Sequence, residues 1–304
     1  MTKTTEANGE YAHLHKKAQL QLDLPDADRI RIIQAGSWMA LDHAKFALER
    51  MEELLLYPRV TRMPNMLLVG PSFSGKTSII ERFLELHPPV IDLEAEVNVC
   101  PVVVVEAPHK PDISDFYSRI LDALGGPYKP TAPTSEKYSQ VKRLFKHLDV
   151  HVLVVDEIHH LIAGSMNRQR EFRNALKSLG NETKVCIVAA GIEEAYNAFN
   201  ADPQMSSRFV PLVLPKWKAG EQMGTLLATL EHRMPLRLPS HLGSVEMMME
   251  IDSRAEGPLG DVCDFVRAAG VNAIRNGAEK ITLTQLKHLN WVPPSKRKHY
   301  PRMP

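Results

Sequence analysis

Short apolar runs alternate with longer segments of helical periodicity through the middle of the chain. A run of about five apolar residues predicts a strand buried on both faces, which is typical of a parallel sheet covered by helices. Five such runs are present: Met66–Val69, Val102–Glu106, Val152–Asp156, Val185–Ala189 and Val210–Leu214. Helical spacing of apolar residues is found between them, near Lys76–Leu86, Ile113–Leu124, Glu136–His147, Gln169–Leu179 and Glu193–Phe199. The pattern predicts an α/β fold with a five-stranded parallel sheet.

The pattern is different at both ends of this α/β region. Residues 1–28 are polar and aperiodic, which predicts a flexible N-terminal arm. Helical spacing then runs from Arg29 to Leu56, with a break at Gly36. After Pro215 only helical segments follow: Glu221–Glu231, Leu242–Ile251, Leu259–Asn276 and Thr284–Leu289. We therefore predict a flexible arm (1–28), an α/β domain (29–215), a small helical domain (216–290) and a basic C-terminal tail (291–304).

The composition excludes several classes of protein. Lys and Arg number 37 against 36 Asp and Glu, a net charge of +1, so the chain is neither histone-like nor an acidic-tail protein. DNA binding through a local basic surface stays open. Three cysteines without a close pair favour a reducing compartment. No apolar run approaches the roughly 20 residues that a membrane helix needs, so we expect a cytoplasmic protein without membrane contact.

The strongest chemical motif directly follows the first apolar run. It reads Gly70-Pro71-Ser72-Phe73-Ser74-Gly75-Lys76-Thr77-Ser78, the spacing of a phosphate-binding loop between a strand and a helix. The glycines let backbone N–H groups converge on phosphate oxygens, and the helix N-terminus adds its positive end. Lys76 is predicted to neutralise the β- and γ-phosphates, and the Thr77 hydroxyl to reach Mg²⁺. The motif predicts a binding site for ATP.

Two adjacent carboxylates end the third apolar run. Asp156 is predicted to hold Mg²⁺, usually through water, and Glu157 to orient and polarise the attacking water. Together with Ile158 and His159 they also spell a DExH helicase box. Helicases of that class need a second core domain with its own arginine motif, which the helical segments after Pro215 do not supply. We therefore favour a water-activating nucleotidase site.

An arginine stands just before the last apolar run, in the segment Asp202–Phe209. A guanidinium group stabilises charge on a transferring phosphoryl group and is often supplied by a neighbouring subunit. Arg208 therefore suits an arginine finger. The alternative is an arginine that is paired at a helix end.

These motifs together resemble those of AAA+ ATPases. More narrowly, the chain resembles TniB, the ATP-dependent transposition helper related to TnsC. The segment from Arg62 to Gly70 that enters the phosphate-binding loop, and Asp202–Gln204 ahead of Arg208 and Phe209, carry the narrower likeness. The resemblance covers roughly residues 30 to 290. It implies an AAA+ P-loop NTPase core followed by a small helical lid.

The resemblance also implies a function and partners. TniB-like proteins bind ATP and Mg²⁺ between neighbouring subunits and assemble as a homo-oligomer, a ring or a filament, on double-stranded DNA. They link a DDE transposase (TniA-like) and a target-selection protein (TniQ-like) to target DNA, and the transposase performs strand transfer. A cytoplasmic, nucleoid-associated protein of bacteria is implied. Lys110 and Lys129 lie in loops that face DNA in TnsC-like proteins, or are ordinary solvated lysines.

Two positions depart from the AAA+ pattern. Gly191 and Ile192 come just after the fourth apolar run, near the end of the predicted strand, where AAA+ proteins usually carry a polar residue that senses the nucleotide. Asp261 falls where some relatives place a lid arginine, and a carboxylate cannot stabilise a γ-phosphate. Both departures predict slow hydrolysis, which suits a switch better than a motor.

Two other functions share the nucleotide motifs. A P-loop small-molecule kinase or phosphotransferase would be active as a monomer and carry lid arginines for its acceptor. Glu157 beside Asp156 suits water activation better than transfer to such an acceptor. A replication initiator or helicase loader of the AAA+ class would carry an appended DNA-binding module.

Overall fold

The computed structural model describes residues 11–92, 97–162, 166–215 and 220–297. The chain divides into an α/β unit, Asp42–Pro215, and a helical unit that combines Met1–Leu41 with Lys216–Pro304. The sequence placed the start of the α/β domain at residue 29. In the structure the helical stretch before residue 42 groups with the C-terminal helices instead, which apolar periodicity alone does not reveal.

Seven strands lie in the described residues: β1 (Asn65–Val69), β2 (Val90–Asp92), β3 (Val97–Val99), β4 (Val102–Glu106), β5 (Val152–Asp156), β6 (Cys186–Gly191) and β7 (Phe209–Val213). Five of them form one sheet in the order β4-β5-β6-β1-β7, and every neighbouring pair is parallel. The predicted five-stranded parallel sheet is confirmed. The antiparallel pair β2 and β3 was not predicted, because strands of 3 residues give no periodic signal.

The helices, in chain order, are α1 (Lys16–Gln21), α2 (Asp26–Ala35), α3 (Asp42–Leu55), α4 (Lys76–Leu86), α5 (Ile113–Ala123), α6 (Thr134–His147), α7 (Met166–Thr183), α8 (Glu193–Asn200), α9 (Pro203–Ser206), α10 (Glu221–Arg233), α11 (Val245–Ala255), α12 (Leu259–Arg275), α13 (Leu283–His288) and α14 (Pro294–Arg297). A 3-10 helix, Ile158–Ile162, follows β5. Each helix predicted in the α/β region is present, and α7 extends beyond its predicted ends.

The central strands are covered on both faces. Val152, Leu153 and Val154 in β5 are all fully buried, although consecutive strand residues point to opposite faces of the sheet. Burying one such side chain contributes about 1.5–3 kcal/mol. The edge strand β7 differs, since Val210 and Val213 are exposed. The sheet is therefore a rigid layer that fixes the loops at its carboxyl end.

The predicted flexible arm is wrong for its described part. Residues 16–21 form α1, and Leu14, Ala18 and Leu22 are buried together. The backbone N–H of His15 donates to the carbonyl of His232 at 2.8 Å, which ties this segment to α10. Residues 1–10 of the predicted arm lie outside the described residues. Three apolar residues at a spacing of four are enough to dock a short helix.

Arg29 anchors the helical unit from within. Its side chain is 1% exposed and donates to the carbonyl oxygen of Pro235 at 2.7 Å and to the carboxylate of Glu279. A buried charge is tolerated when it is paired and hydrogen-bonded in this way. Among the described residues, every helix is too short or too polar to span a membrane.

Candidate nucleotide-binding site

Local backbone geometry shapes the loop between β1 and α4. A Cβ atom on Gly70 would lie 2.5 Å from Ser74 Oγ and 3.1 Å from Leu214 Cβ, so only glycine fits there. Gly75 caps α4 with a φ of 92°, a left-handed conformation that glycine adopts without strain. Phe73 adopts a φ of 61° and its side chain is 62% exposed. The loop therefore turns tightly, with the Ser74 side chain packed against Gly70.

Ser74 leaves a buried hydroxyl in the loop unsatisfied. The residue is buried, and its Oγ has no hydrogen-bond partner within the described chain. A buried hydroxyl without a partner costs free energy. The hydrogen-bond donors of a phosphate-binding loop normally bind phosphate oxygens. The orphaned hydroxyl, in a glycine-bounded loop at the N-terminus of α4, fits a bound nucleotide.

Lys76 turns its ammonium group back onto the start of the loop. The side chain is 6% exposed, and Nζ donates to the carbonyl oxygens of Gly70 at 2.8 Å and Pro71 at 2.9 Å. An ammonium has three donors, so one is left for an anion. Burial lowers the pKa of Lys76, and the nearby carboxylates of Glu157 and Asp156 oppose that shift. A phosphate would supply the missing counter-charge.

Thr77 and Asp156 meet across the space between α4 and β5. The Thr77 hydroxyl donates to Asp156 Oδ2 at 3.0 Å, and Asp156 Oδ1 accepts the backbone N–H of Glu157 at 2.8 Å. Mg²⁺ prefers oxygen ligands and keeps several of its waters. A hydroxyl beside a carboxylate, next to the phosphate-binding loop, fits that donor set. The structure thus brings together the two residues that the sequence predicted for the metal.

Glu157 sits in a strained conformation directly after the strand. Its φ is 53°, a left-handed value that is uncommon for a residue other than glycine. One carboxylate oxygen, Oε2, lies 3.0 Å from Nδ1 of His159. Burial lowers the pKa of His159, and the Glu157 carboxylate opposes this. Strain of this kind is often kept at functional sites, and here it accompanies the contact of the carboxylate with His159.

Gly191 closes the site at the end of β6. Its carbonyl accepts the backbone N–H of Gly70 at 3.1 Å. A Cβ atom at Gly191 would lie 2.9 Å from both Ala195 Cβ and Ile158 Cγ2. The close packing of α8 and the 3-10 helix therefore leaves no room for a polar side chain at this position.

Arg208 lies at the opposite end of the sheet from the loop. The register pairs Asn65 with Phe209 at the start of β1 and β7, so Arg208 precedes the amino end while Gly70 follows the carboxyl end. Five residues of strand separate the two ends by about 16 Å. The guanidinium donates to Asn181 Oδ1 at 2.8 Å. Arg208 therefore lies away from the loop of its own chain, and it is paired with a side chain of α7.

The two lysines proposed for DNA lie in exposed loops around α5. Lys110 precedes this helix in the chain, and Lys129 follows it. Lys137, which the sequence reading missed, is 4% exposed and donates to the hydroxyls of Ser114 and Ser118 and to the carbonyl of Pro130. It thereby pins the loop of Lys129 against the first turns of α5. A buried lysine has no sequence signal of its own.

Comparison with protein families identifies the family to which this chain belongs. The family described as "Bacterial TniB protein" matches residues 29–219, more than half of the chain. The chain belongs to the TniB family. The matched range contains the phosphate-binding loop, the carboxylate pair and Arg208.

More distant relatives of this TniB protein share the AAA+ fold. An ORC1-type DNA replication protein of Desulfurococcus amylolyticus is 25% identical over 265 residues, which cover 81% of this chain and 63% of that protein. The structure of the Aeropyrum pernix ORC2 protein in ADPNP–ADP complexes aligns with a TM-score of 0.64 at 14% identity, covering 90% of this chain and 74% of that one. The Aeropyrum pernix ORC1 protein in complex with DNA aligns at 0.54 and 21% identity, covering 86% and 66%. At these identities the alignments establish the P-loop NTPase fold of AAA+ proteins.

Proposed function

We propose that this TniB protein is an ATP-dependent regulator of DNA transposition that assembles on target double-stranded DNA. In this role it links a DDE transposase of the TniA type and a target-selection protein of the TniQ type to that DNA. The observation that carries the proposal is the separation of Arg208 from its own loop. A site divided in this way is complete only where two copies meet, so nucleotide state and assembly are coupled.

In this proposal, ATP is bound by residues of the loop and of the strand end beside it. The backbone N–H groups of residues 70–78, with the buried hydroxyl of Ser74, receive phosphate oxygens. Lys76 turns its free donor to one phosphate and releases a carbonyl to reach the second, while Thr77 and Asp156 would hold Mg²⁺. A bound Mg²⁺ neutralises phosphate charge.

Hydrolysis is assigned to residues on two copies. Glu157 polarises the attacking water, and Arg208 of the adjacent copy stabilises charge on the transferred phosphoryl group. Gly191 places no polar side chain beside the phosphate. Turnover is therefore slow, and its effect is to release the assembly rather than to drive movement.

DNA binding is assigned to repeated weak contacts. With a net charge of +1, one copy has little general attraction for DNA. Lys110 and Lys129 are exposed, and neither side chain has a hydrogen bond or ion pair in the described ranges. Phosphate contacts add up when many copies follow one duplex. A row of copies therefore binds far more strongly than a monomer.

A replication initiator is the second candidate. The similarity to an ORC1-type DNA replication protein favours it. The TniB match over residues 29–219 favours transposition. Binding to one defined sequence, independent of any transposase, would support the initiator.

The test is binding to a generic duplex with ATP, with ADP and without nucleotide, read together with particle size. We expect binding and growth into large particles only with ATP. The double variant Lys110→Ala/Lys129→Ala should lose DNA binding and keep ATP binding, whereas Lys146→Ala, an exposed lysine near the end of α6, should behave as wild type. A monomer that binds DNA equally in every nucleotide state contradicts the proposal.

A further inference from the structure

Three side chains of metal-ligand type meet beside the nucleotide site and have no part in it. Glu106 ends β4, His109 lies in the bend that follows, and His160 lies in the 3-10 helix after β5. The parallel register pairs Glu106 with Asp156, and the N–H of Ala107 donates to the Asp156 carbonyl at 2.8 Å. The pairing of β4 with β5 therefore carries the two segments to the same edge of the sheet.

The spacing of these groups fits a small metal ion. One ligand atom from each of Glu106, His109 and His160 lies within 4.8 Å of the other two. The rings of His109 and His160 meet edge to face with centroids 5.0 Å apart. Zinc–nitrogen bonds of about 2.0–2.1 Å place tetrahedral ligands roughly 3.4 Å apart. Because Glu106 and His109 are exposed, rotation of their side chains can close the difference.

The possible metal-ligand atoms of these three side chains are not hydrogen-bonded to other described residues. Nδ1 of His160 is buried and has no hydrogen bond in the described part of the chain. The side chains of Glu106 and His109 make neither a hydrogen bond nor an ion pair with any described residue. A buried ring nitrogen without a partner is costly, and a metal ion bound by the ring would relieve that cost.

We propose that Glu106, His109 and His160 bind a transition-metal ion of the zinc type. Two imidazoles and one carboxylate suit zinc, whereas Mg²⁺ prefers the oxygen donors of Thr77 and Asp156. Glu157 and His159 form a second group with His160. In that group a carboxylate oxygen of Glu157 lies 3.0 Å from Nδ1 of His159, and the Glu157 variant below distinguishes the two groups.

The ion would connect two parts of the molecule with different roles. His109 is next to Lys110 in the chain, and His160 stands three residues after Glu157. A bound ion fixes the bend of Lys110 to the helix that follows the water-polarising carboxylate. The metal site itself does not depend on the proposed function, since it rests on the three side chains alone.

The experiment titrates the chelator-treated, nucleotide-free full chain with Zn²⁺ in excess Mg²⁺, and with Co²⁺ to record its visible absorption. We expect one ion per chain and a Zn²⁺-dependent rise in the melting temperature. His109→Ala and Glu106→Gln should each weaken binding by more than the roughly 10–100-fold that an outer-shell partner contributes. The metal-free melting temperatures of these variants should equal that of wild type, because the replaced side chains are exposed.

His147→Ala is the matched control, because His147 is an exposed histidine of the same unit. It should bind Zn²⁺ as wild type does. Wild-type affinity in His109→Ala would overturn the proposal. So would loss of binding in Glu157→Gln with binding intact in Glu106→Gln, since that pattern assigns the ion to the second group.

Discussion

Replacing Lys76 by methionine should separate nucleotide binding from folding. The ammonium is buried and, among the described residues, donates to the carbonyls of Gly70 and Pro71. Burial lowers the pKa of Lys76, which means that its surroundings disfavour the charged form of the side chain. A bound phosphate would favour that charged form. Methionine has a similar length and no charge. We expect the free energy of unfolding without nucleotide to change by no more than about 1 kcal/mol.

The loss of ATP affinity should be much larger. A hydrogen bond to a charged group contributes about 1.5–3 kcal/mol, so contacts to two phosphates contribute roughly 3–6 kcal/mol. Lys76 must release at least one carbonyl to reach both phosphates, which offsets part of this gain. The lower limit of about 3 kcal/mol corresponds to a roughly 100-fold rise in Kd.

The assay is a titration with a fluorescent ATP analogue, paired with thermal melting of the same samples. Lys146→Met, which replaces an exposed lysine of the same unit, is the control and should match wild type in both measurements. A Lys76→Met protein that melts as wild type does and binds ATP within about threefold of the wild-type Kd would refute the assignment of Lys76. The proposed phosphate-binding role of the loop would then have to be abandoned.

Three further predictions concern other contacts. Glu157→Gln should keep ATP binding and hold the assembly on DNA, and rapid disassembly of this variant in ATP, followed by light scattering, would count against the role of Glu157. Glu279→Ala should destabilise the helical unit by about 3–5 kcal/mol in calorimetry, because it leaves Arg29 buried without its carboxylate. Burial alone would raise the pKa of Glu279, but hydrogen bonds led by that from Arg29 outweigh it and lower the pKa. The contribution of Glu279 is therefore full at neutral pH and is lost as the pH falls through the lowered pKa, so the wild type and Glu279→Ala should converge in stability in acid. Thr282→Ala should cost about 1 kcal/mol, because the Thr282 hydroxyl and the Gln285 side chain cap α13 reciprocally, and an unchanged melting temperature would show that the cap is not needed.

Local signals account for most of what the sequence predicted. Apolar runs gave the five strands of the sheet, because a doubly covered strand has few polar positions. The loop of residues 70–78 was recognisable because its chemistry requires fixed residue types at fixed spacing. The meeting of Thr77 with Asp156 followed from the parallel sheet, whose carboxyl ends share one edge.

Features that depend on distant contacts could not be predicted. The strained φ of Glu157 and its contact with His159 arise from how the 3-10 helix packs. The pairing of Arg29 with Glu279 joins residues at opposite ends of the chain. The docking of α1 was different, since Leu14, Ala18 and Leu22 have helical spacing that could have been recognised. That signal was hidden by the polarity of the surrounding segment.

In the proposed assembly, the placement of Arg208 and the loop at opposite ends of the sheet would give each copy a direction. A contact that joins the loop end of one copy to the arginine end of the next is head-to-tail, and it repeats without using the same surface twice. In an open row of n copies only n−1 such junctions form, so one terminal loop always faces solvent. Turnover per copy should then rise with the length of the row, and a closed ring would have no terminal loop at all.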